Sequence, residues 1–211
     1  MNKNPIVYDE DQLEEIEQFI ETQWGAGENG YVCHELTSEY VHTDIQVNGD
    51  DEGTILSTFG MGARAINSPL PDFEHIELLM YASPILAEDS ANDHSRVLTA
   101  CAELVRLSKY PFREDSWIGP GHTIDASDEF CETFGYPYFL FLEYPYKATV
   151  TGVGKITYLV VVPVFEDEVT QMIEREEYAT FMQDYYAYFE NLKYEKNIFH
   201  IDVKRPHLTE Q

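Results

Sequence analysis

Residues 155–164, KITYLVVVPV, form an almost unbroken apolar run. A run this short and rich in β-branched residues is typical of a strand, and a strand that is apolar on both faces lies inside a sheet. The run therefore predicts a central strand. YPYFLFLEYP at 136–145 predicts a second apolar strand, and HIELLMYA at 75–82 predicts a further buried one. The short segment TGVGK at 151–155 lacks phosphate-loop spacing and predicts a turn.

The earlier part of the chain predicts a hairpin. In VHTDIQVN at 41–48 apolar and polar residues alternate, which is typical of a half-buried strand. The polar turn NGDDEG at 48–53 and the strand TILSTFG at 54–60 follow. YVCHEL at 31–36 predicts a short strand before this hairpin, and NIFHIDV at 197–203 predicts a last one.

Helical patterns occur before, between and after these strands. Residues 9–25 begin with Asp9 and Gln12, which have the spacing of a capping box. Residues 90–111 predict a second helix that Pro111 ends, and residues 165–192 predict helix in one or two pieces. The order lacks regular βαβ alternation. It predicts one α+β domain over residues 1–211, with a mixed, mostly antiparallel sheet and helices packed on it.

The charge is strongly negative and unevenly distributed. Thirty-nine acids against 13 Lys and Arg give a formal net charge of −26, which argues against binding to nucleic acid or to an anionic membrane. No Lys or Arg occurs between Asn4 and Ala63, where 14 acids lie. Such a field fits either a solvated surface or the capture of a basic protein partner. The candidate contact residues are the outward face of the first helix and the hairpin tip: Glu14, Glu17, Glu21, Asp50, Asp51 and Glu52.

Cysteine use and the N-terminus suggest a cytoplasmic protein. Cys33, Cys101 and Cys131 are scattered and have no zinc-site spacing, so we expect reduced thiols. The first residues lack the apolar core of a signal peptide. No stretch approaches the roughly 18 apolar residues that a membrane span needs.

No catalytic or cofactor motif stands out. The sequence has no GxSxG elbow, P-loop or GxGxxG segment, and NGDDEG lacks the spacing of a calcium loop. His34 and His42 can approach each other across neighbouring strands, but nothing in their spacing dictates a metal site. We therefore predict no metal and no cofactor. A hydrolase that uses His122 with His34 or His42 stays an alternative.

The segment SWIGPGHTI at 116–124 combines a tryptophan, rigid or small backbone residues and a histidine. Gly119, Pro120 and Gly121 fit a tight corner. Trp117 fits a packed anchor, and His122 has no placed partner for acid–base work. We therefore interpret Trp117, Gly119, Gly121 and His122 as a structural corner and expect no catalytic residue here.

Several short segments, in order, resemble the suppressor-of-fused family. They are VHTDIQV, STFGMGARAINSP, HIELLMYASP, ELVRLSKYP, SWIGPGHTI and YLVVVPVFEDEVTQMI, and the resemblance is strongest over residues 41–173. Pro120 stands where many bacterial relatives have Trp, which puts any aromatic pocket there in doubt. The second domain of animal relatives is not matched.

The resemblance implies a suppressor-of-fused-like fold and a protein-binding role without catalysis. Bacterial single-domain relatives resemble immunity proteins of polymorphic toxin systems, so the resemblance implies that this chain binds and neutralises a toxin. Because this chain is strongly acidic, we expect the toxin domain that it binds to be basic. The alternative is a regulatory scaffold that binds a peptide or a transcription factor, and a His-based metal-dependent hydrolase is a more distant one. Neither the sequence nor the resemblance identifies the toxin or the oligomeric state.

Overall fold

The computed structural model describes residues 5–25, 30–36, 38–50, 53–82, 95–174 and 200–201. Its central element is a mixed β-sheet. Seven strands follow one path in the order β1-β2-β3-β4-β7-β6-β5, and β8 also pairs with β4. The strands are β1 (Tyr31–Cys33), β2 (Asp44–Asp50), β3 (Gly53–Phe59), β4 (Ile76–Ala82), β5 (Thr123–Asp125), β6 (Tyr138–Val150), β7 (Gly154–Val164) and β8 (His200–Ile201).

The pairing is mostly antiparallel, as the sequence predicts. Only β4 with β7 and β4 with β8 run parallel among the described strands. The predicted hairpin is confirmed, because β2 and β3 pair from Asp44↔Phe59 to Asp50↔Gly53. A second hairpin joins β6 to β7 through the predicted turn, with Val150 opposite Gly154.

The apolar run lies at the centre of the sheet. Strand β7 is flanked by β4 and β6, and every residue from Ile156 to Val164 is buried. Successive side chains join different cores: Leu159 and Val161 lie in one, Val160 and Val162 in the other. This is the burial on both faces that a continuous apolar strand requires.

Helices cover the two faces. They are α1 (Glu10–Trp24), α2 (Ser95–Arg113), α3 (Asp128–Phe134) and α4 (Glu166–Glu174). Helix α1 contributes Ile16 and Ile20 to one core, whereas α2 and α3 contribute Leu104, Leu107 and Phe130 to the other. The result is an α+β arrangement with the sheet between helical layers.

Helix α1 begins as predicted. The side chain of Asp9 accepts a 2.9 Å hydrogen bond from the Gln12 amide, and the Asp9 amide donates one of 3.0 Å to the Gln12 side chain. Thr151, in the β6–β7 turn, donates from its amide and its hydroxyl to Glu15, at 2.6 and 2.7 Å. These bonds lower the pKa of Glu15 and anchor the helix to the sheet.

The predicted end of the second helix is wrong. Helix α2 continues through Pro111 to Arg113, and the Glu114 amide still donates to the Tyr110 carbonyl at 3.0 Å. Proline removes one N–H, but Pro111 lies on the buried side of this helix, so packing outweighs the lost bond. The predicted helical residues 90–94 and 175–192, and strand residues 197–199 and 202–203, lie outside the described residues.

Candidate functional site

The outward face of α1 is acidic and fixed in place. Glu14, Glu17 and Glu21 are exposed, while Ile16 and Ile20 are buried beneath them at 0% and 2% exposure. Phe19 stacks on Tyr158 with 5.2 Å between ring centroids, and the Trp24 indole donates to the Tyr144 hydroxyl at 3.2 Å. The three carboxylates are therefore presented to solvent by a well-packed helix.

The predicted hairpin tip is only partly described. Asp50 is the last residue of β2 and pairs with Gly53 through the backbone. Asp51 and Glu52 lie outside the described residues.

A groove of about 290 Å³ separates α1 from the edge of the sheet. Its lining comes from α1, from β1 and from β2: Glu17, Ile20, Glu21, Gly30, Val32, Gln46 and Asn48. The acidic face of α1 thus continues into a concave surface, which the sequence did not indicate because α1 and β2 are far apart along the chain.

The corner at residues 117–122 precedes β5 at the far edge of the sheet. A Cβ on Gly119 would lie 2.3 Å from Cζ3 of Trp117, and Gly121 has φ +84°. Only glycine fits the first position without displacing the ring, and glycine is strongly favoured at the second. The Gly121 amide donates to the Phe141 carbonyl at 2.8 Å, and the Phe141 amide donates to the His122 carbonyl at 3.0 Å.

His122 packs against its neighbour in this corner. Its ring lies edge-on to Trp117 with 4.3 Å between centroids, and it is hydrogen-bonded to the Trp117 backbone. Burial lowers the pKa of His122, although the backbone bond opposes the shift. The neutral ring is therefore favoured.

His34 and His42 do converge, but without His122. His34 Nδ1 lies 3.1 Å from Asp44 Oδ2, and His42 Nε2 lies 3.1 Å from Asp44 Oδ1. These residues sit beside β1 and β2, whereas His122 sits beside β5 at the opposite edge. The hypothesis that His122 works together with either histidine is therefore wrong.

The two histidines belong to a wider polar network. Ser38 Oγ is 2.5 Å from His42 Nδ1 and 3.3 Å from Glu35 Oε2. Lys109 of α2 donates to Glu35 at 2.9 Å and also to the Val41 carbonyl. The network ties the β1–β2 connection to α2. Among the described residues, no group of three or more His, Cys, Asp or Glu side chains is arranged to hold a metal.

Sequence reasoning missed the fully buried carboxylate of Glu77. It accepts from the amides of Gly60 and Gly62 at 2.9 Å each, and from the hydroxyls of Thr58 at 2.6 Å and Tyr8 at 3.0 Å. Burial raises the pKa of Glu77, and the four donors oppose that shift. The sequence does contain a sign of this site, because Glu77 lies inside the apolar strand HIELLMYA and a buried acid needs hydrogen-bond donors.

The carboxylate of Glu77 explains why glycine lies on both sides of Met61, at Gly60 and Gly62. A Cβ on Gly60 would lie 2.0 Å from the His42 carbonyl oxygen, and one on Gly62 would lie 2.5 Å from the Tyr8 hydroxyl. The segment GMG therefore brings two backbone amides close to Glu77 where side chains have no room.

No described helix is long and apolar enough to span a lipid bilayer.

Comparisons with known proteins give one matching family and two similar solved structures. The family described as "Suppressor of fused protein (SUFU)" matches residues 40–206. A solved structure described as the Sufu-Fu complex has a TM-score of 0.63 at 14% identity, covering 86% of this chain and 85% of its own. A structure of Drosophila Suppressor of Fused has a TM-score of 0.48 at 14% identity, covering 76% of this chain and 42% of its own. No curated protein matches the sequence significantly.

Proposed function

The chain belongs to the suppressor of fused family, and on this premise we propose that it is an immunity protein, a binding domain that neutralises a cognate toxin. The toxin is a protein with a basic surface. The chain carries out no catalysis, needs no cofactor, and acts in the cytoplasm without binding nucleic acid or a membrane.

The observation that carries the proposal is the exposed acidic face of α1. Glu14, Glu17 and Glu21 face solvent within a stretch that has no Lys or Arg from Asn4 to Ala63. A one-sided negative field of this kind accelerates encounter with a basic partner and disfavours others. Toxins that act on nucleic acids or nucleotides carry basic clefts, and an acidic helix occludes such a cleft. We propose that Asp50, Asp51 and Glu52 at the hairpin tip contact the toxin as well.

The corner supports the binding role by supplying rigidity. Trp117, Gly119, Gly121 and His122 hold β5 against β6 through backbone bonds to Phe141 and one ring contact. We assign them this structural role and no chemical one.

The test has two stages. Immobilised wild-type chain captures proteins from the source cells, and a toxin is the expected prey. Association with that toxin is then followed by stopped flow at increasing ionic strength. The rate constant should fall by about tenfold or more between low and physiological salt. A rate that does not respond to salt would contradict electrostatic capture.

A matched pair of variants locates the surface. The triple change Glu14→Gln, Glu17→Gln and Glu21→Gln should slow association. The control Asp125→Asn, Glu129→Gln and Glu132→Gln alters net charge equally, at exposed acids beside and on α3, across the sheet from α1. Equal effects of the two triple variants would remove α1 from the interface.

A regulatory scaffold is the second candidate, since the similar solved structure is described as a complex of Sufu with Fu. Capture of a transcription factor or a signalling protein, with no toxin among the prey, would favour it. Metal analysis of the purified chain tests whether its role is purely one of binding, because stoichiometric zinc or manganese would contradict that role.

A further inference from the structure

The groove between α1 and the β1–β2 edge has the composition of a site for a cation on an aliphatic stem. Glu17 and Glu21 supply two carboxylates, and Ile20 and Val32 supply apolar surface. The described lining contains no Lys or Arg. The negative charge of the groove is therefore not neutralised by the residues that line it.

The two carboxylates lie one helical turn apart. Like charges at positions i and i+4 of a helix repel each other and destabilise it. A planar guanidinium, which presents five N–H donors, can bridge two such carboxylates, whereas an ammonium is a point charge. This favours arginine over lysine as the occupant.

Asn48 provides an independent sign of a missing ligand. Its side chain is only 6% exposed, and its Nδ2 has no hydrogen-bond partner. Its Oδ1 already accepts from the side-chain Nε2 of Gln46 at 3.3 Å, which leaves Nδ2 as the unused donor. A buried donor without an acceptor is unfavourable, so a carbonyl brought into this groove is stabilised there.

We propose that this groove binds an arginine side chain together with a neighbouring backbone carbonyl of an extended segment in the protein partner. The guanidinium lies between Glu17 and Glu21, and the stem packs on Val32, which is partly exposed. The carbonyl accepts from Asn48 after a side-chain rotation that brings the buried Nδ2 to the groove. This inference rests on the proposed function, and it specifies the chemistry that the acidic surface recognises.

The site can be tested without the partner. The full chain, labelled with ¹⁵N, is titrated with N-acetyl-arginine N-methylamide, and the side-chain amide signals of Asn48 and Gln46 are followed by NMR. Saturable shifts with a Kd of about 1–10 mM are expected for a ligand of this size. The citrulline analogue has the same shape without the charge, and it should shift these signals far less. Equal shifts with both compounds, or none with arginine, would overturn the proposal.

Two double variants decide where the compound binds. Glu17→Gln with Glu21→Gln should weaken binding by about tenfold. Glu10→Gln with Asp11→Asn changes two exposed acids of the same helix outside the groove and should leave the Kd unchanged. All four positions are exposed on α1, and the NMR spectrum verifies that each variant is folded. Equal weakening in both would contradict a defined site.

The two proposals can fail separately. If the toxin still binds the Glu17 and Glu21 variant with unchanged affinity, the groove is overturned and the immunity role stands. If the arginine compound binds the groove while no protein partner is captured, the immunity role fails and the groove stands.

Discussion

The hydroxyl of Tyr8 donates a 3.0 Å hydrogen bond to Oε1 of Glu77, a residue 69 positions further along the chain. Both side chains are buried, Tyr8 at 4% and Glu77 at 0% exposure. The bond joins the segment before α1 to the middle of the sheet. The same oxygen accepts the amides of Gly60 and Gly62, so one carboxylate connects three separate parts of the fold.

We expect Glu77→Leu to lower the free energy of unfolding by at least about 3 kcal/mol, because several buried donors lose their acceptor. Glu77→Gln should cost much less. Its carbonyl keeps the three bonds made by Oε1, and its amide can donate to the Thr58 hydroxyl, which lies 3.4 Å from the Leu78 carbonyl. Urea unfolding of the two variants measures the difference. Equal losses would show that charge, and not acceptor capacity, is what Glu77 supplies.

A second prediction follows from the lack of room for a side chain between Gly119 and the Trp117 ring. Gly119→Ala places a Cβ 2.3 Å from the indole, so the ring must move out of its contact with His122. In a Trp24→Phe background, where Trp117 is the only tryptophan, its fluorescence should shift to longer wavelength. Gly135→Ala is the control, because Gly135 has φ +81° but nothing within 4 Å of a Cβ. It should cost about 1 kcal/mol and leave the fluorescence unchanged.

Sequence patterns predicted the strands well because burial and periodicity are local. The run at 155–164 predicted a central strand, and the alternation at 41–48 predicted a half-buried strand whose Ile45 and Val47 do lie in the core. The capping box of Asp9 and Gln12 is local too. The end of α2 was predicted wrongly because a local rule for Pro111 competed with tertiary packing, which no local pattern contains.

Features that depend on contacts between distant parts of the chain could not be predicted from sequence patterns. Glu17 could be assigned to an outward face, but its position across a groove from Asn48 depends on how α1 lies over β2. The glycines of GMG were visible, yet their reason, the carboxylate of Glu77, lies in another strand. The sequence allows His34 and His42 to approach each other across neighbouring strands. Only the structure shows that Asp44 is the partner of both.

His122 predicts a pH dependence of stability. Its folded-state pKa is lowered by burial below the unfolded value of about 6.5. A group with a lowered pKa stabilises the fold fully above the unfolded pKa, and that contribution is lost as pH falls through the folded pKa. The stability difference between wild type and His122→Gln should therefore shrink as the pH is lowered from about 7 to about 5. A stability difference between wild type and His122→Gln that stays constant from about pH 7 to about pH 5 would contradict a lowered pKa.

The sulfur atoms of Cys33 and Cys101 lie 3.6 Å apart, although 68 positions separate them in the sequence. Cys33 is partly exposed on β1, and Cys101 is buried in α2, where burial raises the pKa of its thiol. Hydrogen peroxide should therefore oxidise Cys33 first, converting its thiolate to a sulfenic acid and releasing water on protonation. The Cys101 thiol then attacks that sulfur and a second water leaves, so two thiols and one peroxide give one disulfide and two waters.

The product should be an intramolecular disulfide that raises Tm by about 5–10 °C, because it closes a long loop in the unfolded chain. Non-reducing peptide mapping should recover the Cys33 and Cys101 peptides linked, and Cys131 free. Cys33→Ser should abolish both the link and the rise in Tm, and Cys131→Ser should abolish neither. A peroxide-treated chain in which Cys131, on α3, is linked to either residue, or in which Cys33 and Cys101 stay unlinked, would contradict the contact between the Cys33 and Cys101 sulfur atoms.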